Sequence, residues 1–472
     1  MQRSKIEIRE GRGRSALGEY EEKELDSSPS ATESGGGGGQ RLSWVFSLKS
    51  TVIISLLLKF AIFLIGVIII GILNSRTQLT SCGSTNPGNP PVFTSPYGDI
   101  EAYTDYRDLY LRCLVTPFLN GSQAYNLPIV YNYPPLFLYT LSIFARASSL
   151  IWFPAIPLVA FDALTAIPAY FIASEFLFKG RASAEKLSFA VSLIWIVNPL
   201  NLFYNDLMWL NPGPTTFFLM FSIYLFLKGK YPLSAVFLAI STGFKQTSFL
   251  LFPVFVIAAW KLKGFTKELV FYILIYAGLL TVISLPYVYQ NPQQYFWALQ
   301  FPIFGNPPGA GSGNPTTFEY DLSQPVRLTT FLGLIKFINL QALTVASYQY
   351  LNYVFIAFYV GILVSLALKK GKLTPQNVLV YLLAAFLAFT TFFGRGVYKY
   401  YFAGLTPLAL PIFSWKKGAI FFEVFCIAIL LLPRLVNPWM GALLITFLPT
   451  MTNPFRAHLE TPEPKQESGE KC

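Results

Sequence analysis

The feature that most constrains this chain is a series of apolar blocks, each close to the roughly 20 residues that cross a bilayer as a helix. Charged residues are only 12% of the sequence, about half the fraction usual in soluble domains. The pattern therefore predicts an all-α polytopic membrane protein. Thirteen blocks are candidates: about 51–73, 134–151, 155–178, 187–204, 213–227, 231–243, 247–260, 268–288, 348–368, 376–393, 399–414, 418–433 and 437–450.

The basic residues predict the orientation of these blocks. From 155–178 onward, every second gap carries a cluster of Lys or Arg, and the gaps between are rich in Pro, Asn and aromatic residues. The clusters are Lys179/Arg181/Lys186, Lys228/Lys230, Lys261/Lys263/Lys267, Lys369/Lys370/Lys372 and Lys416/Lys417. By the positive-inside rule these gaps are cytosolic. The same placement explains the net charge of +11 more simply than nucleic-acid binding does, so no nucleic-acid partner is expected.

The block 134–151 does not cross the membrane under this scheme. A first span that starts in the cytosol ends outside, and 155–178 must run from outside to inside, so 134–151 has to stay outside. Pro134, Pro135 and Arg146 are compatible with an interfacial helix. We therefore predict about 12 transmembrane helices, with both termini in the cytosol.

The same scheme divides the chain into three parts. Residues 1–47 form a disordered cytosolic tail, 48–452 the transmembrane domain, and 453–472 a second cytosolic tail. The domain has two long external loops, about 74–154 and 289–347, and the first is predicted to be partly helical. Cys82 and Cys113 both lie in the first loop, where they form either a disulfide or two separate thiols.

Several kinds of catalytic site are absent from the sequence. The only His is His458, in the C-terminal tail, and no phosphate-binding P-loop or zinc-finger Cys spacing is present. What remains is acid in the first external loop, where Asp99, Glu101, Asp105 and Asp108 begin an amphipathic stretch. Acidic residues favour the first turn of a helix, and we read Asp105 and Asp108 that way. Asp99 is either a helix cap or a catalytic carboxylate.

Three motifs resemble those of the GT-C superfamily of membrane glycosyltransferases, especially the enzymes that use polyprenyl-phosphate or dolichyl-phosphate sugars. They are Asp99-Ile100-Glu101; Asn120-Gly121 and Tyr125 followed by Tyr133-Pro134-Pro135-Leu136; and Asn198-Pro199 with Asn205-Asp206. The resemblance extends over most of residues 50–415. It implies a GT-C-like fold and an inverting hexosyltransferase, transferring mannose or glucose from a polyprenyl-phosphate donor to a lipid-linked glycan, lipid or protein.

By this resemblance Asp99 is the general base that deprotonates the acceptor hydroxyl, and Glu101 orients it, raises its pKa or binds the acceptor. A phosphate leaving group also needs cations. Lys245, Arg395 and Lys399 lie at membrane boundaries on the predicted external side, where they either bind the phosphate or snorkel to the interface.

The predicted substrate pocket includes Tyr133, Asp206, Asn211 and Asp162. Asp206 and Asn211 lie in the predicted external gap that follows Asn198-Pro199. Asp162 lies inside a predicted span, where an ionisable side chain needs either a cavity or a partner, so its role is either structural pairing or catalysis.

The expected partners are the sugar donor, a lipid-linked or protein acceptor, and membrane lipids. The sequence has no firm metal site, and a requirement for Mg²⁺ or Mn²⁺ stays open. The expected location is a plasma membrane or an endoplasmic-reticulum-type membrane, with the active site on the external or lumenal face. Two alternatives remain: a polytopic transporter or lipid-glycan flippase, and a non-catalytic subunit with the same fold.

Overall fold

A computed structural model describes residues 46–72, 134–147, 152–210, 212–290, 295, 341–393, 399–413, 418–432, 439 and 441–444. Within these ranges the chain is helical throughout and contains no strand. The predicted tails 1–47 and 453–472 lie almost entirely outside the described residues, as do most of both predicted external loops.

The described residues form α-helices joined in places by π-helical turns and 3₁₀ helices. The α-helices are α1 (Leu48–Ile72), α2 (Pro135–Ala147), α3 (Ala155–Leu164), α4 (Ala166–Ile172), α5 (Ala184–Ile196), α6 (Pro199–Asn201), α7 (Pro212–Leu227), α8 (Tyr231–Phe244), α9 (Phe252–Lys263), α10 (Lys267–Gln290), α11 (Gln341–Leu368), α12 (Pro375–Phe392), α13 (Leu410–Phe413) and α14 (Gly418–Leu431). π-Helical turns cover Ala173–Leu177 and Leu202–Leu207, and 3₁₀ helices cover Gln246–Leu251 and Lys399–Ala409.

Five helical segments of the described part are long and apolar enough to cross a bilayer. They are Leu48–Ile69, Ala155–Leu177, Ala184–Leu207, Lys267–Pro286 and Pro375–Phe392. Four shorter apolar helices accompany them: Pro212–Leu227, Tyr231–Phe244, Tyr353–Leu368 and Gly418–Leu431. The described part of the chain is thus all-helical and the chain is an integral membrane protein, as predicted, while the count of twelve spans stays a prediction.

Helix α1 runs antiparallel to α3 and α4. As the residue number rises along α1, the residue number of its contact partner falls from 170 to 152. Phe46 O accepts from Tyr170 Oη, Ser55 Oγ donates to Ala163 O, and the Phe63 ring packs on the Trp152 ring. Residue 155 therefore lies near the end at which α1 finishes. The intervening helix α2 has 13 residues and is about 20 Å long, which is short of the roughly 30 Å hydrocarbon core.

Helices α7 and α8 form a tight antiparallel hairpin. The turn Lys228–Lys230 has Gly229 at φ 75, a left-handed conformation that glycine adopts without a steric penalty. Ser222 and Ser234 then exchange hydroxyl-to-carbonyl hydrogen bonds of 2.9 and 2.8 Å across the hairpin. At its far end the hairpin places the start of α7 beside the end of α8, and this end carries the second polar site described below.

Candidate functional site

A group of three charged side chains is buried where α1, α3 and the π-helical turn Leu202–Leu207 meet. Lys59 of α1 donates to Asp162 Oδ2 and, at 2.9 Å, to Asp206 Oδ2. All three residues are fully buried, and the Lys59 ammonium lies 4.9 Å from the centroid of the Trp195 ring. We call Lys59, Asp162 and Asp206 the buried charge cluster. It joins the first span to the two that follow.

The buried charge cluster carries more acid than base. One ammonium faces two carboxylates, and if all three are ionised one negative charge is left over in a setting where unpaired charge is costly. Asn205 Nδ2 donates to Asp162 Oδ1 at 2.8 Å, so both Asp162 oxygens accept hydrogen bonds. Asp206 Oδ1 has no hydrogen-bond partner among the described residues.

The backbone between α5 and α7 places Asn205 beside Asp162 and Asp206 beside Lys59. Asn198 caps α6, its Oδ1 accepting from the Leu200 N–H at 3.1 Å, while its Nδ2 donates to Glu423 of α14 at 3.0 Å. Pro199 then occupies the first helical turn, where its missing N–H costs nothing. The π-helical turn that follows contains both polar residues. Such turns are frequent at functional sites.

Close packing of α1 on this segment depends on Gly66. A Cβ at that position would lie 2.8 Å from Leu207 O and 3.0 Å from the Trp209 ring. The Phe63 and Trp209 rings are already in contact, with centroids 5.5 Å apart. Glycine therefore lets α1 approach closely enough for the Lys59 ammonium to reach Asp206.

A second polar site lies where α8 breaks. α8 ends at Phe244, and Lys245 is extended, at φ −153 and ψ 124, before the 3₁₀ helix Gln246–Leu251 begins. Lys245 is 3% exposed, and its ammonium lies 4.6 and 4.1 Å from the ring centroids of Tyr400 and Tyr401.

Beside Lys245 is a small, partly open cavity of about 20 Å³, which we call the Lys245 cavity. A water molecule needs roughly 10 to 15 Å³ measured in this way, so the cavity has room for one water-sized group. Its wall combines hydroxyl, apolar and aromatic side chains: Pro212, Thr215, Thr216, Leu219, Thr247, Ser248, Phe386, Tyr401 and Gly404 together with Lys245.

The first turn of α7 separates the two sites. Gly213 packs against α3 so closely that a Cβ would lie 2.2 Å from Leu158 O and 3.2 Å from Asp162 Cβ. Thr215 and Thr216, two and three residues later, line the Lys245 cavity. The position of this turn therefore affects both the buried charge cluster and the Lys245 cavity.

The structure brings two of the predicted pocket residues together. Asp162 and Asp206 share Lys59, and Lys245 lies at the separate cavity. Lys399 donates to Leu430 O at 3.1 Å and Leu432 O at 2.7 Å, so it holds the end of α14. The other predicted site residues lie outside the described residues: Asp99, Glu101, Tyr133, Asn211, Arg395, Cys82 and Cys113. Their roles stay untested.

Sequence reasoning missed Lys59. It is the one charged residue in the apolar block 51–73, and an ionisable residue inside a span calls for a partner. Asp162 is likewise an ionisable residue inside a later predicted span, so the opposite charges of Lys59 and Asp162 could have suggested that the two residues pair. No group of three His, Cys, Asp or Glu side chains in the described part is arranged to hold a metal ion.

Part of the chain is similar to a known protein family. Residues 103–304 match the model of the PIG-U family, described as a GPI transamidase subunit. The matched region is less than half of the chain; it includes Asp162, Asp206 and Lys245 but neither Lys59 nor Lys399. No curated protein matches significantly.

This match overturns the predicted activity. The family is named for a transamidase, whose reaction forms an amide bond, and not for the transfer of a hexose. The prediction of a glycosyltransferase that uses a polyprenyl-phosphate sugar is therefore wrong, and a sugar donor is not supported as a partner. The likeness to GT-C enzymes is at most a distant relation. The motifs behind it are short, and aromatic and proline residues gather at the interfaces of many membrane proteins.

Proposed function

We propose that this chain is a non-catalytic membrane subunit of a GPI-transamidase-type complex in an endoplasmic-reticulum-type membrane. The observation that carries the proposal is the PIG-U family match over residues 103–304. This range contains nine consecutive α-helices of the described part of the chain, α2 to α10. The proposed partners are the other subunits of the complex and substrates that carry a lipid anchor.

The buried charge cluster supports a structural role for these helices. Lys59, Asp162 and Asp206 are closed off from solvent and bonded to one another, so no substrate reaches them without separating the helices. A buried ion pair that loses one partner leaves an uncompensated charge, and this penalises arrangements in which α1 leaves α3. The cluster thereby fixes how the first three long helices pack.

The outer faces of the bundle support a role in assembly. Only 22% of the residues in the apolar window of Leu48–Ile69 are buried, and only 17% in that of Lys267–Pro286. Large side chains such as Leu57, Ile68, Leu274 and Val282 are more than half exposed. In a membrane these faces meet lipid tails or helices of other subunits, and both fit a subunit that works inside a larger complex.

The test is to remove the chain from cells that make it and follow a GPI-anchored reporter. If the proposal is right, the reporter keeps its C-terminal attachment signal and fails to reach the surface, while complete GPI lipid accumulates. Tagged full-length chain should also co-purify with the transamidase in mild detergent. Accumulation of GPI lipids that lack a sugar, with reporter processing intact once complete GPI is supplied, would overturn the proposal.

A further inference from the structure

We propose that the Lys245 cavity binds a phosphate oxygen, most directly that of a membrane phospholipid. The proposal concerns a site that the transamidase assignment does not require, and it is argued from the contacts around Lys245. The occupant is identified by its chemistry: an oxyanion with one oxygen in the cavity and the remaining atoms outside it.

The first support is the position and surroundings of the ammonium group. Lys245 is 97% buried, and the two tyrosine rings hold its ammonium beside the cavity that it lines. The Tyr400 and Tyr401 rings are stacked, with centroids 4.6 Å apart, and Tyr401 also lines the cavity. An ammonium group is a common ligand for phosphate, which it binds as a point charge.

The second support is the hydroxyl group of Thr215. This residue lines the cavity and is 6% exposed, and its Oγ1 has no hydrogen-bond partner among the described residues. Buried hydroxyl groups normally have a partner. A phosphate oxygen in the cavity would accept a hydrogen bond from Thr215 while it faces the Lys245 ammonium.

The hydroxyl hydrogens of the neighbouring Ser241 and Ser248 are already used in other hydrogen bonds. Ser241 Oγ donates to Thr215 O at 2.7 Å, which uses the only hydroxyl hydrogen of Ser241. The 2.8 Å contact between the Ser241 and Ser248 hydroxyls is therefore donated by Ser248. The bond from Ser241 attaches the backbone of Thr215 to α8, and Ser248 in turn bonds to Ser241.

The size and depth of the cavity favour a lipid phosphate. About 20 Å³ admits one oxygen atom, so the phosphorus and its substituents would lie at the mouth. α8 has 14 residues and spans about 20 Å, so Lys245 lies about that far from the basic turn Lys228–Lys230. The turn marks one boundary of the membrane, so Lys245 lies about two thirds of the way across the roughly 30 Å hydrocarbon core, nearer the opposite boundary. At this depth a lipid of the bilayer is the available source of a phosphate group.

The test uses full-length chain purified in a neutral maltoside detergent. Binding is titrated with dioctanoylphosphatidic acid, with dioctanoylglycerol, which lacks the phosphate, and with inorganic phosphate. The variants are Lys245→Met and Thr215→Val, which keep side-chain size while removing the ammonium or the hydroxyl. Lys230→Met, an exposed residue just before the same helix, is the matched control. Thermal unfolding of each variant checks that it is folded.

We expect phosphatidic acid to bind at least tenfold more weakly to Lys245→Met and about fivefold more weakly to Thr215→Val, as the loss of a charged and a neutral hydrogen bond implies. Lys230→Met should bind within about twofold of wild type. If inorganic phosphate binds with the same sensitivity, the phosphate group alone suffices; if it does not bind, the site needs the lipid. Either result supports the proposal.

Two outcomes would overturn it. One is equal affinity for phosphatidic acid and dioctanoylglycerol. The other is phosphatidic acid binding that neither Lys245→Met nor Thr215→Val weakens. Both are separate from the proposed function, because co-purification with a transamidase complex does not depend on this cavity. If the chain binds phosphatidic acid through Lys245 but never joins such a complex, the phosphate site stands and the proposed function is wrong.

Discussion

Lys59 Nζ lies 2.9 Å from Asp206 Oδ2, although 147 residues separate the two along the chain. Asp162 completes the group, so that the first long helix is bonded to both of the following ones. Because hydrophobic packing alone gives helices little orientational preference in lipid, specific polar contacts of this kind define which helices pair. Two predictions test this arrangement, a third tests the packing of α7 on α3, and a fourth tests Lys399.

Replacing Lys59 by Met should strongly destabilise the protein. The change keeps the length of the side chain but leaves Asp162 and Asp206 facing each other without a cation. Breaking a buried ion pair on one side costs about 3 to 5 kcal/mol. We expect a clear fall in the thermal unfolding midpoint of the full-length chain in detergent, together with lower yield of monodisperse protein.

Lys49→Met provides the control for this variant. Lys49 is exposed and lies ten residues earlier, in the first turn of the same helix. Loss of an exposed lysine should change stability by no more than about 0.5 kcal/mol. Equal unfolding midpoints for Lys59→Met and Lys49→Met would show that the buried charge cluster does not hold α1 in place.

The two carboxylates should respond differently to amide substitution. In Asp206→Asn the carbonyl oxygen can keep the bond from Lys59, and the new NH₂ group takes the place of Oδ1, which has no partner among the described residues. The change also removes the excess negative charge. Asp162 accepts at both oxygens, from Lys59 and from Asn205, so in Asp162→Asn one donor must face an NH₂ group.

We therefore expect Asp206→Asn to unfold close to the wild-type midpoint and Asp162→Asn to be less stable by about 1 to 3 kcal/mol, the cost of an unsatisfied buried donor. The measurement is the same thermal unfolding series, with both variants made in one background. The reverse order of stability would mean that Asp206, and not Asp162, is the principal partner of Lys59.

Gly213 should not tolerate a larger residue. In Gly213→Ala the new methyl group would lie 2.2 Å from Leu158 O, so α7 or α3 has to move, at a cost of about 1 to 3 kcal/mol. Gly278 of α10 is the matched control, since a Cβ there meets nothing within 4 Å. Gly278→Ala should be neutral or stabilising by up to about 1 kcal/mol. Similar midpoints for the two variants would contradict the close packing of α3 and α7.

Much of the fold follows from the sequence because apolar length and basic gaps have direct physical consequences. The hydrophobic blocks predict the helices, and most of the observed ones fall within a few residues of them. The gap 244–246 between the predicted blocks 231–243 and 247–260 coincides with the extended residue Lys245, but the blocks did not predict that a 3₁₀ helix, Gln246–Leu251, precedes α9. Local hydrophobicity does not distinguish these backbone states.

The contacts within the site could be predicted only in part. Asp162 needed a partner on physical grounds, but nothing local to Asp162 identifies Lys59, which lies 103 residues earlier. Asp206 was placed in an external gap, and the π-helical turn instead continues the helical segment and buries it. The activity was harder still to predict from the sequence. Short acidic and proline motifs suit the interface of many membrane proteins, so they did not distinguish an enzyme from a subunit.

Lys399 should matter for helix α14 and not for binding phosphate. Its ammonium donates to Leu430 O and Leu432 O at the end of that helix, where a cation also interacts favourably with the helix dipole. In Lys399→Met these carbonyls lose a donor, and we expect stability to fall by about 1 kcal/mol while affinity for dioctanoylphosphatidic acid stays within twofold of wild type. Lys372→Met, at an exposed position between α11 and α12, should change neither quantity. A phosphate ligand on Lys399 would replace the helix-end contacts. A tenfold loss of phosphatidic acid binding in Lys399→Met without loss of stability would therefore show that this ammonium binds phosphate and does not hold the helix end.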